Sequence, residues 1–184
     1  MRSLGIFNFI TLNGFFKGPN GDISWHKHGE EEGEFSKENM KQDNILLFGR
    51  VTYEMMASFW PSPMAKEMNP VMSEGMTNAE KIVFSRSLEK ADWKNTTIIR
   101  DNIVDEIKKM KQQPGKDLTV LGSGSIVTQF AEAGIIDRYS IMLDPVAIGM
   151  GTPIFNNIHK QLDLKLVSTR TFKSGVILLN YEPM

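Results

Sequence analysis

Short apolar runs of strand length recur along this chain, and the segments between several of them can form helices. The runs that we interpret as strands cover residues 4–10, 44–48, 81–85, 96–100, 118–121 and 138–144. The segments that we interpret as helices cover residues 52–59, 103–112 and 125–133, and residues 35–41 look like part of another helix. Such an alternation is typical of an α/β domain with a mostly parallel sheet.

The last part of the chain has a different pattern. Two apolar runs, residues 164–172 and 176–181, flank Lys173-Ser174-Gly175. Two strand-like runs separated by a short segment with glycine predict an antiparallel hairpin. We therefore expect the sheet to end in an antiparallel edge. An apolar edge needs cover, which suggests a homodimer.

The composition limits the classes of protein to which the chain can belong. Its 184 residues suit one domain, residues 1–184. The formal net charge is -1 and there is no dense Lys/Arg run, so we expect no nucleic-acid partner. The absence of cysteine excludes a disulfide and a thiolate nucleophile, and it suits a cytoplasmic protein. Asn8, Thr11 and Asn13 interrupt the apolar N-terminal segment, so we expect a buried strand and not a signal peptide or membrane span.

Three short segments each allow a further prediction about local structure. Asn102 can cap the helix over residues 103–112. Residues 60–76 contain three prolines and four methionines and look like an excursion over the domain. Methionine fills irregular core gaps more often than it lines a flexible pocket wall or a subunit contact, so we favour gap filling. The acidic run 30–32 predicts a solvated surface.

Residues 120–126, with the sequence Val-Leu-Gly-Ser-Gly-Ser-Ile, carry the strongest local signal of a binding site. A buried strand runs there into a glycine turn and then into a helix. Small residues let the backbone approach a ligand closely, and a helix N-terminus offers N–H groups to a phosphate. Glycine turns of this kind are also common elsewhere, and Val127 stands where a dinucleotide fingerprint has its third glycine. This segment alone leaves phosphate binding and an ordinary turn equally open.

Two further turns have the same form. The second strand meets Gly49 and Arg50 before a helix starts near Thr52, and the third strand ends in Ser85-Arg86-Ser87. Guanidinium and hydroxyl groups at such positions can hold an anion, although each turn alone is more often a helix cap, a surface ion pair or a polar turn. Ligands in open α/β sheets gather at the carboxyl ends of strands. Three such turns at three strand ends therefore favour one shared anion site.

Taken together, these motifs resemble those of the dihydrofolate-reductase-like family. Residues 49–54 (Gly-Arg-Val-Thr-Tyr-Glu), Ser85-Arg86 and Gly122-Ser123-Gly124 follow the order and approximate spacing seen in dihydrofolate reductases. Residues 12–15, 21–25, 145–155 and 171–176 look like the reductase domain of the bifunctional riboflavin-biosynthesis deaminase–reductase and its stand-alone bacterial relatives. The resemblance covers residues 4–182. It implies a three-layer α/β/α fold with a central, mostly parallel sheet and an antiparallel C-terminal hairpin, and it is a second reason to expect a homodimer.

The resemblance also implies NADPH as the cofactor. Gly49, Arg50 and Thr52 would flank its pyrophosphate and adenosine side, and Ser85 and Arg86 would receive the 2′-phosphate. The residues that would wrap the pyrophosphate are Gly122, Ser123, Gly124, Ser125 and Ile126. The nicotinamide would lie near the first strand and the loop that contains Asp22 and Trp25. The residues that would form the substrate pocket are Asn13, Trp25 and Tyr53.

Three features of the site stay open at this point. Dihydrofolate reductases join two glycines by a cis peptide where this chain has Gly122-Ser123, and a cis bond to a non-proline residue costs about 2.5–4 kcal/mol. The catalytic acid would be Asp22 or Glu30, with a surface role as the alternative for both. His26 and His28 suggest a metal, but no third ligand can be placed, so we predict no metal site.

The leading function is hydride transfer from NADPH to a small heterocyclic or sugar-linked substrate. In the riboflavin branch this would be reduction of 5-amino-6-(5-phosphoribosylamino)uracil, with the cofactor supplying the chemistry. The zinc-binding Cys and His pattern of the deaminase domain is absent from the chain. A dihydrofolate- or pterin-type reductase is the second hypothesis. A non-catalytic NADPH-binding domain is the third.

Overall fold

An eight-stranded sheet forms the centre of the computed structural model, which describes residues 1–27 and 29–184. Its strands are β1 (Leu4–Thr11), β3 (Ile45–Gly49), β4 (Lys81–Phe84), β5 (Thr96–Ile99), β6 (Leu118–Leu121), β7 (Arg138–Asp144), β9 (Leu164–Thr171) and β10 (Ile177–Pro183). Their order across the sheet is β5-β4-β3-β6-β1-β7-β10-β9. The six strands from β5 to β7 are parallel, and β10 is antiparallel to both β7 and β9. The predicted mostly parallel sheet with an antiparallel C-terminal hairpin is confirmed.

In the described part of the chain, six helices flank this sheet. They are α1 (Glu30–Met40), α2 (Arg50–Phe59), α3 (Pro63–Met68), α4 (Pro70–Asn78), α5 (Ile103–Gln112) and α6 (Gly124–Glu132). Alternate residues of β3 pack into different cores: Ile45 and Leu47 join the cluster that contains α5 and α6 residues, and Leu46 and Phe48 join the cluster that contains α2 and α4 residues. Because side chains alternate between the faces of a strand, the sheet is the middle layer of an α/β/α sandwich.

A separate two-stranded sheet covers part of the carboxyl edge of the main sheet. It pairs β2 (Phe15–Lys17) with β8 (Thr152–Pro153) in antiparallel register. Phe16 of β2 packs directly on the turn before α6, because a Cβ added at Gly124 would lie 2.8 Å from the Phe16 ring. The two-stranded sheet therefore lies against the glycine turn that the sequence singled out.

The methionine-rich segment 60–76 forms α3 and α4. Each helix begins with proline, and the side chains of Ser62 and Asn69 cap the two N-termini. Met72 and Met76 are buried in the core on the α2 side of the sheet, so gap filling is confirmed for them. Met64 and Met68 are exposed.

Two local expectations are wrong. Glu30 in the acidic run is exposed as expected, but Glu32 is buried and accepts a hydrogen bond from the Ser174 hydroxyl. Helix α1 starts at Glu30, ahead of the segment 35–41 that the sequence predicts to be part of a helix. Glutamates in the first turn favour that early start through the helix dipole. Asn102 does occupy the position before α5, but its backbone is left-handed (φ 53°) and its side chain makes no capping bond.

Lys81 is buried at the opposite, amino-terminal edge of the sheet. Its ammonium donates hydrogen bonds to the carbonyls of Met76, Thr77 and Ala79, at the end of α4, and lies 4.4 Å from the Trp93 ring centroid. Burial lowers the pKa of Lys81 to about 8. Lys81 thus joins α4 to the sheet and has no contact with the carboxyl edge.

Over residues 1–27 and 29–184, none of the helices is long and apolar enough to cross a bilayer. The same residues contain no group of three or more His, Asp or Glu side chains placed to bind a metal ion. His28, half of the histidine pair in the sequence, lies outside the described residues.

Candidate functional site

The three turns chosen from the sequence meet at one edge of the sheet. Strands β4, β3 and β6 are adjacent and parallel, so their carboxyl ends lie side by side. The Gly49 N–H donates a 2.8 Å hydrogen bond to the Ser123 hydroxyl, which directly joins two of the turns. The residues predicted to bind the cofactor all line one cleft; they are Gly49, Arg50, Thr52, Ser85, Arg86, Gly122, Ser123, Gly124, Ser125 and Ile126.

The glycine turn after β6 has an unusual backbone. Gly122 and Ser123 both have φ near +59°, the left-handed region that non-glycine residues rarely adopt. Ser123 is held there by its hydroxyl, which accepts from Gly49 and donates to the Leu121 carbonyl at 3.2 Å. A Cβ added at Gly122 would lie 3.3 Å from the Thr52 side chain. Among the described residues every peptide is trans, so the Gly122–Ser123 bond is not cis.

Two helix N-termini open into this edge. Helix α2 follows Gly49 and helix α6 follows Ser123, and neither preceding residue caps its helix with a side chain. The first N–H groups of a helix have no partner within the helix, and the helix dipole makes that end positive. Helices α1 and α5 also lack a side-chain cap, whereas Ser62 and Asn69 cap α3 and α4. What distinguishes α2 and α6 is that they follow the adjacent strands β3 and β6. The two uncapped N-termini can therefore accept an anion such as a pyrophosphate.

The outer part of the site carries two arginines. Arg50 pairs with Glu54 at 2.9 Å, and Arg86 pairs with Asp101 at 2.9 Å. Exposed ion pairs of this kind contribute about 0–1 kcal/mol, so both guanidinium groups can turn to a phosphate at little cost. Ser85 is buried, and its hydroxyl accepts from the backbone N–H groups of Ser87 and Leu88. Ser85 thus shapes the turn that presents Arg86.

The cleft continues from these turns along the sheet face that α1 covers. Its walls there are apolar and aromatic, with Phe7 and Phe9 from β1, Phe35 and Met40 from α1, and Leu121 at the end of β6. The Phe7 and Phe35 ring centroids are 6.1 Å apart. The cavity that contains this cleft measures about 1840 Å³ and also reaches residues at the amino edge of the sheet, such as Ser3, Asp117 and Arg138.

The two predicted acids lie outside this cleft. Asp22 and Glu30 are both exposed. Hydrogen bonds from the Ser24 hydroxyl and N–H hold the pKa of Asp22 below its ordinary value, so this carboxyl is less able to donate a proton at neutral pH. The geometry therefore does not support either residue as a general acid, which needs a raised pKa and a place beside the substrate.

The residues predicted to form the substrate pocket are dispersed. Tyr53 is buried in the core behind the cleft, because its position on α2 points it at Phe48 and Trp93. Its hydroxyl accepts a 3.1 Å hydrogen bond from the backbone N–H of Trp93. Asn13 is exposed and bonds to the backbone of Ile148. Trp25 lines a small, shallow depression between residues 18–25 and 148–150. The structure brings none of the three into the main cleft.

A buried histidine–aspartate pair was not found from the sequence. His26 Nδ1 lies 2.8 Å from the Asp144 carboxylate, both side chains are 1% exposed, and the His26 ring stacks on Phe9 at 3.8 Å. The Lys27 N–H also points at Asp144, at 3.4 Å. The pair fastens the loop before α1 to the ends of β1 and β7. The two residues are 118 positions apart in the sequence. The one feature of the sequence that could have indicated the pair is an aspartate at the end of a predicted strand.

Comparison with known proteins finds relatives along almost the whole chain. A sequence model of the RibD C-terminal domain family matches residues 2–178. The uncharacterized protein YyaP of Bacillus subtilis is 31% identical over 173 residues, which cover 94% of this chain and 90% of YyaP.

Solved structures share the fold at lower identity. A pyrimidine reductase-like protein from Corynebacterium diphtheriae has a TM-score of 0.70 at 12% identity, with 100% of this chain and 92% of that chain covered. A diaminohydroxyphosphoribosylaminopyrimidine deaminase/5-amino-6-(5-phosphoribosylamino)uracil reductase from Thermotoga maritima has a TM-score of 0.71 at 17% identity. This chain is covered completely in that alignment but corresponds to 57% of the Thermotoga protein.

Proposed function

This chain belongs to the RibD C-terminal domain family, whose fold is that of dihydrofolate reductases, and from that premise we propose that it is an NADPH-dependent reductase. Its substrate would be a small heterocyclic or sugar-linked compound. The reaction would resemble the reduction performed by 5-amino-6-(5-phosphoribosylamino)uracil reductases of riboflavin biosynthesis. The family supports a reductase of that pathway's type. The identity of the cofactor and of the substrate is our proposal.

The observation that carries the proposal is the convergence of two uncapped helix N-termini with Arg50 and Arg86. The N-termini of α2 and α6 lie at adjacent strand ends and are joined by the Gly49–Ser123 hydrogen bond. This arrangement suits a pyrophosphate. Arg86, at the next strand end, suits a phosphate monoester such as the 2′-phosphate of NADPH.

NADPH would supply the hydride when bound, and the chain's own residues would bind and orient the two reactants. The glycine turn would hold the pyrophosphate, and its lack of side chains at Gly122 and Gly124 leaves the backbone accessible. Phe7, Phe9 and Phe35 would form an apolar wall for a flat ring. Holding two reactants in a fixed orientation supplies much of the rate enhancement in such a site.

A non-catalytic NADPH-binding domain is the second candidate. It is favoured by one observation, the location of Asp22 and Glu30 on the solvent-exposed surface. The same observation weighs more strongly against a dihydrofolate- or pterin-type reductase, the remaining alternative, in which an acid in the cleft would protonate the ring. Turnover of any pyrimidine with NADPH would exclude the second candidate.

The β9 edge suggests a second copy of the chain as a partner. Seven of the eight β9 residues are exposed, Leu166 and Val167 among them, and the outer edge of this strand has unpaired backbone groups. Long exposed edges are normally covered. We propose a homodimer through this hairpin, and a solution mass equal to one chain in light scattering would refute it.

Fluorescence titration with NADPH and NADH tests the cofactor proposal. We expect NADPH to bind about tenfold or more tightly than NADH, since a charge-assisted hydrogen bond contributes about 1.5–3 kcal/mol. The Arg86→Ala variant should lose this preference and keep its affinity for NADH. Lys109→Ala on α5 is the control, because Lys109 is an exposed cation paired with Glu106 and does not line the cleft, so this variant should behave as the unmodified protein. Failure of both nucleotides to bind would overturn the proposal.

A further inference from the structure

The central section of the cleft lies between α1 and α2, next to the turns that would bind the cofactor. Its floor is the sheet face that carries Phe7 of β1 and Leu121 of β6, which are register partners on adjacent strands. Phe35 of α1 lies against this floor, with its ring centroid 6.1 Å from that of Phe7. Met40, further along α1, packs against the same core cluster as Leu121. Helix α1 therefore forms one apolar wall of the central section.

Helix α2 supplies the other wall. Thr52, Met56 and Phe59 are spaced by four and three positions, so they lie on one face of this helix. A Cβ added at Gly122 would lie 3.3 Å from the Thr52 side chain, which directs this face toward the end of β6. All three residues line the cleft, and Met56 packs against the same core cluster as Leu121. The floor and both walls of the central section are therefore mainly apolar.

The charged residues that line the cavity lie at its two ends. In the part of the chain that the structure describes, the carboxyl end has Lys17, Arg50 and Arg86, and the amino end has Asp43, Asp117, Arg138 and Glu182. The polar residues that line the space between these ends, such as Ser36, Asn39 and Thr119, are neutral. The central section thus offers apolar contacts and neutral hydrogen-bonding groups.

Neither end of the described cavity leaves a cation for a phosphate on the substrate. At the carboxyl end, Arg50 and Arg86 follow the strands whose turns would bind the cofactor. The Lys17 ammonium lies 5.5 Å from the ring centroid of Phe16, which packs on the glycine turn, so it belongs to the same end. At the amino end three carboxylates accompany one guanidinium, and their charge repels an anion. A phosphate in the central section would lose its hydration without gaining a charged partner.

We propose that the substrate is a neutral, flat heterocycle without a phosphate, and that its ring lies in the central section on Phe7 and Leu121. This inference rests on the proposed function, because it requires that NADPH occupy the turns. The ring would accept a hydride at the carbon of a C=N bond and a proton from water at the nitrogen. C–H and N–H bonds form, and NADPH becomes NADP⁺. Such a substrate differs from 5-amino-6-(5-phosphoribosylamino)uracil in lacking the phosphate.

The first test compares two ligands that differ only in a phosphate. They are 5-amino-6-(5-phosphoribosylamino)uracil and the same compound without its phosphate. Calorimetric titration uses the protein saturated with NADP⁺, so that the cofactor already occupies Arg50 and Arg86. The unphosphorylated compound should bind about tenfold or more tightly, because it brings no unpaired charge into the apolar section. Equal affinity, or tighter binding of the phosphorylated compound, would overturn the proposal.

A lysine in the α2 wall should favour the phosphorylated compound. Phe59 lines the cleft and is 38% exposed, so Phe59→Lys adds a cation there that stays in contact with water. This variant should bind the phosphorylated compound about tenfold more tightly than the unmodified protein does, through a charge-assisted hydrogen bond. Met64→Lys on α3 is the matched control, because Met64 is exposed and does not line the cleft. No gain in Phe59→Lys, or an equal gain in Met64→Lys, would overturn the proposal.

The remaining outcomes separate this inference from the proposed function. If Phe59→Lys does not fold, Met55→Lys, at another exposed position of α2 that lines the cleft, must show the same gain. Lumazine, a neutral fused pyrimidine, should bind to the NADP⁺-saturated protein, with its own fluorescence as the readout. Failure of both lumazine and the unphosphorylated compound to bind, with NADP⁺ binding intact, would overturn the inference alone. Failure of NADP⁺ to bind would instead refute the proposed function itself.

Discussion

The two halves of the carboxyl edge of the sheet are built differently. In one half, β3, β4 and β6 each end in a short turn, and the residues predicted to bind the cofactor lie in these turns or directly after them. In the other half, at the ends of β1 and β7, the groups come from the loop before α1, whose place depends on the contact between His26 and Asp144. Every residue predicted for the first half lines the main cleft, and both acids predicted for the second half lie on the surface.

The difference shows how far local sequence determines a site. A turn that follows a strand is positioned by the strand, so Arg86 must lie at the carboxyl edge wherever β4 lies. A loop as long as residues 18–29 has many possible conformations. Contacts with residues distant in sequence determine which conformation it adopts. The predictions below separate the two halves, from the largest expected effect to the smallest.

Removing the Asp144 carboxylate should cause the largest loss. Asp144→Leu removes the carboxylate to which His26 is hydrogen-bonded, and loss of a buried hydrogen bond to a charged group costs about 1.5–3 kcal/mol of unfolding free energy. Asp101→Leu is the control, because it removes a carboxylate whose pair with Arg86 is exposed on both sides, which contributes about 0–1 kcal/mol. Urea unfolding measures both. Equal losses in the two variants would mean that the His26–Asp144 pair does not hold the second half together.

A side chain at Gly122 should damage the first half in a different way. Gly122 and Gly134 have nearly the same positive φ, +59° and +62°, so alanine at either position should cost about 1–2 kcal/mol of stability. A Cβ at Gly134 meets no atom within 4 Å, whereas one at Gly122 meets Thr52 beside the proposed pyrophosphate site. We expect only Gly122→Ala to weaken NADPH binding, by about tenfold or more. Equal NADPH affinity in both variants would argue that the turn does not contact the cofactor.

The smallest effects should come from the two exposed acids. Asp22→Asn and Glu30→Gln should change NADPH-dependent turnover by less than about twofold, because neither carboxyl lies in the cleft. Loss of a true general acid lowers turnover by about 10²–10⁴-fold. A drop of that size in either variant would show that the loop before α1 moves its acid into the cleft during the reaction, and the contrast between the two halves would then fail.

The fold was largely determined by local pattern. The alternation of apolar runs and amphipathic segments identified the six parallel strands, and the Lys173-Ser174-Gly175 turn identified the hairpin. Local pattern suffices there because side chains repeat their direction every 2 residues in a strand and every 3.6 residues in a helix. Where the local pattern gave a wrong prediction, a contact with a residue distant in sequence was responsible. Glu32 is buried, and the Ser174 hydroxyl, 142 positions away, donates a hydrogen bond to its carboxylate.

The same division holds for the site. The sequence by itself determined the three turns at Gly49, Ser85 and Gly122, since small and polar residues after a buried run serve as local signals of a strand end. Only the tertiary structure decided that Tyr53 points into the core, that His26 meets Asp144 and that the Phe35 ring packs near Phe7 in the cleft. Each of these depends on which side chains from distant segments pack together. The local hydrophobic pattern of the sequence does not encode such contacts.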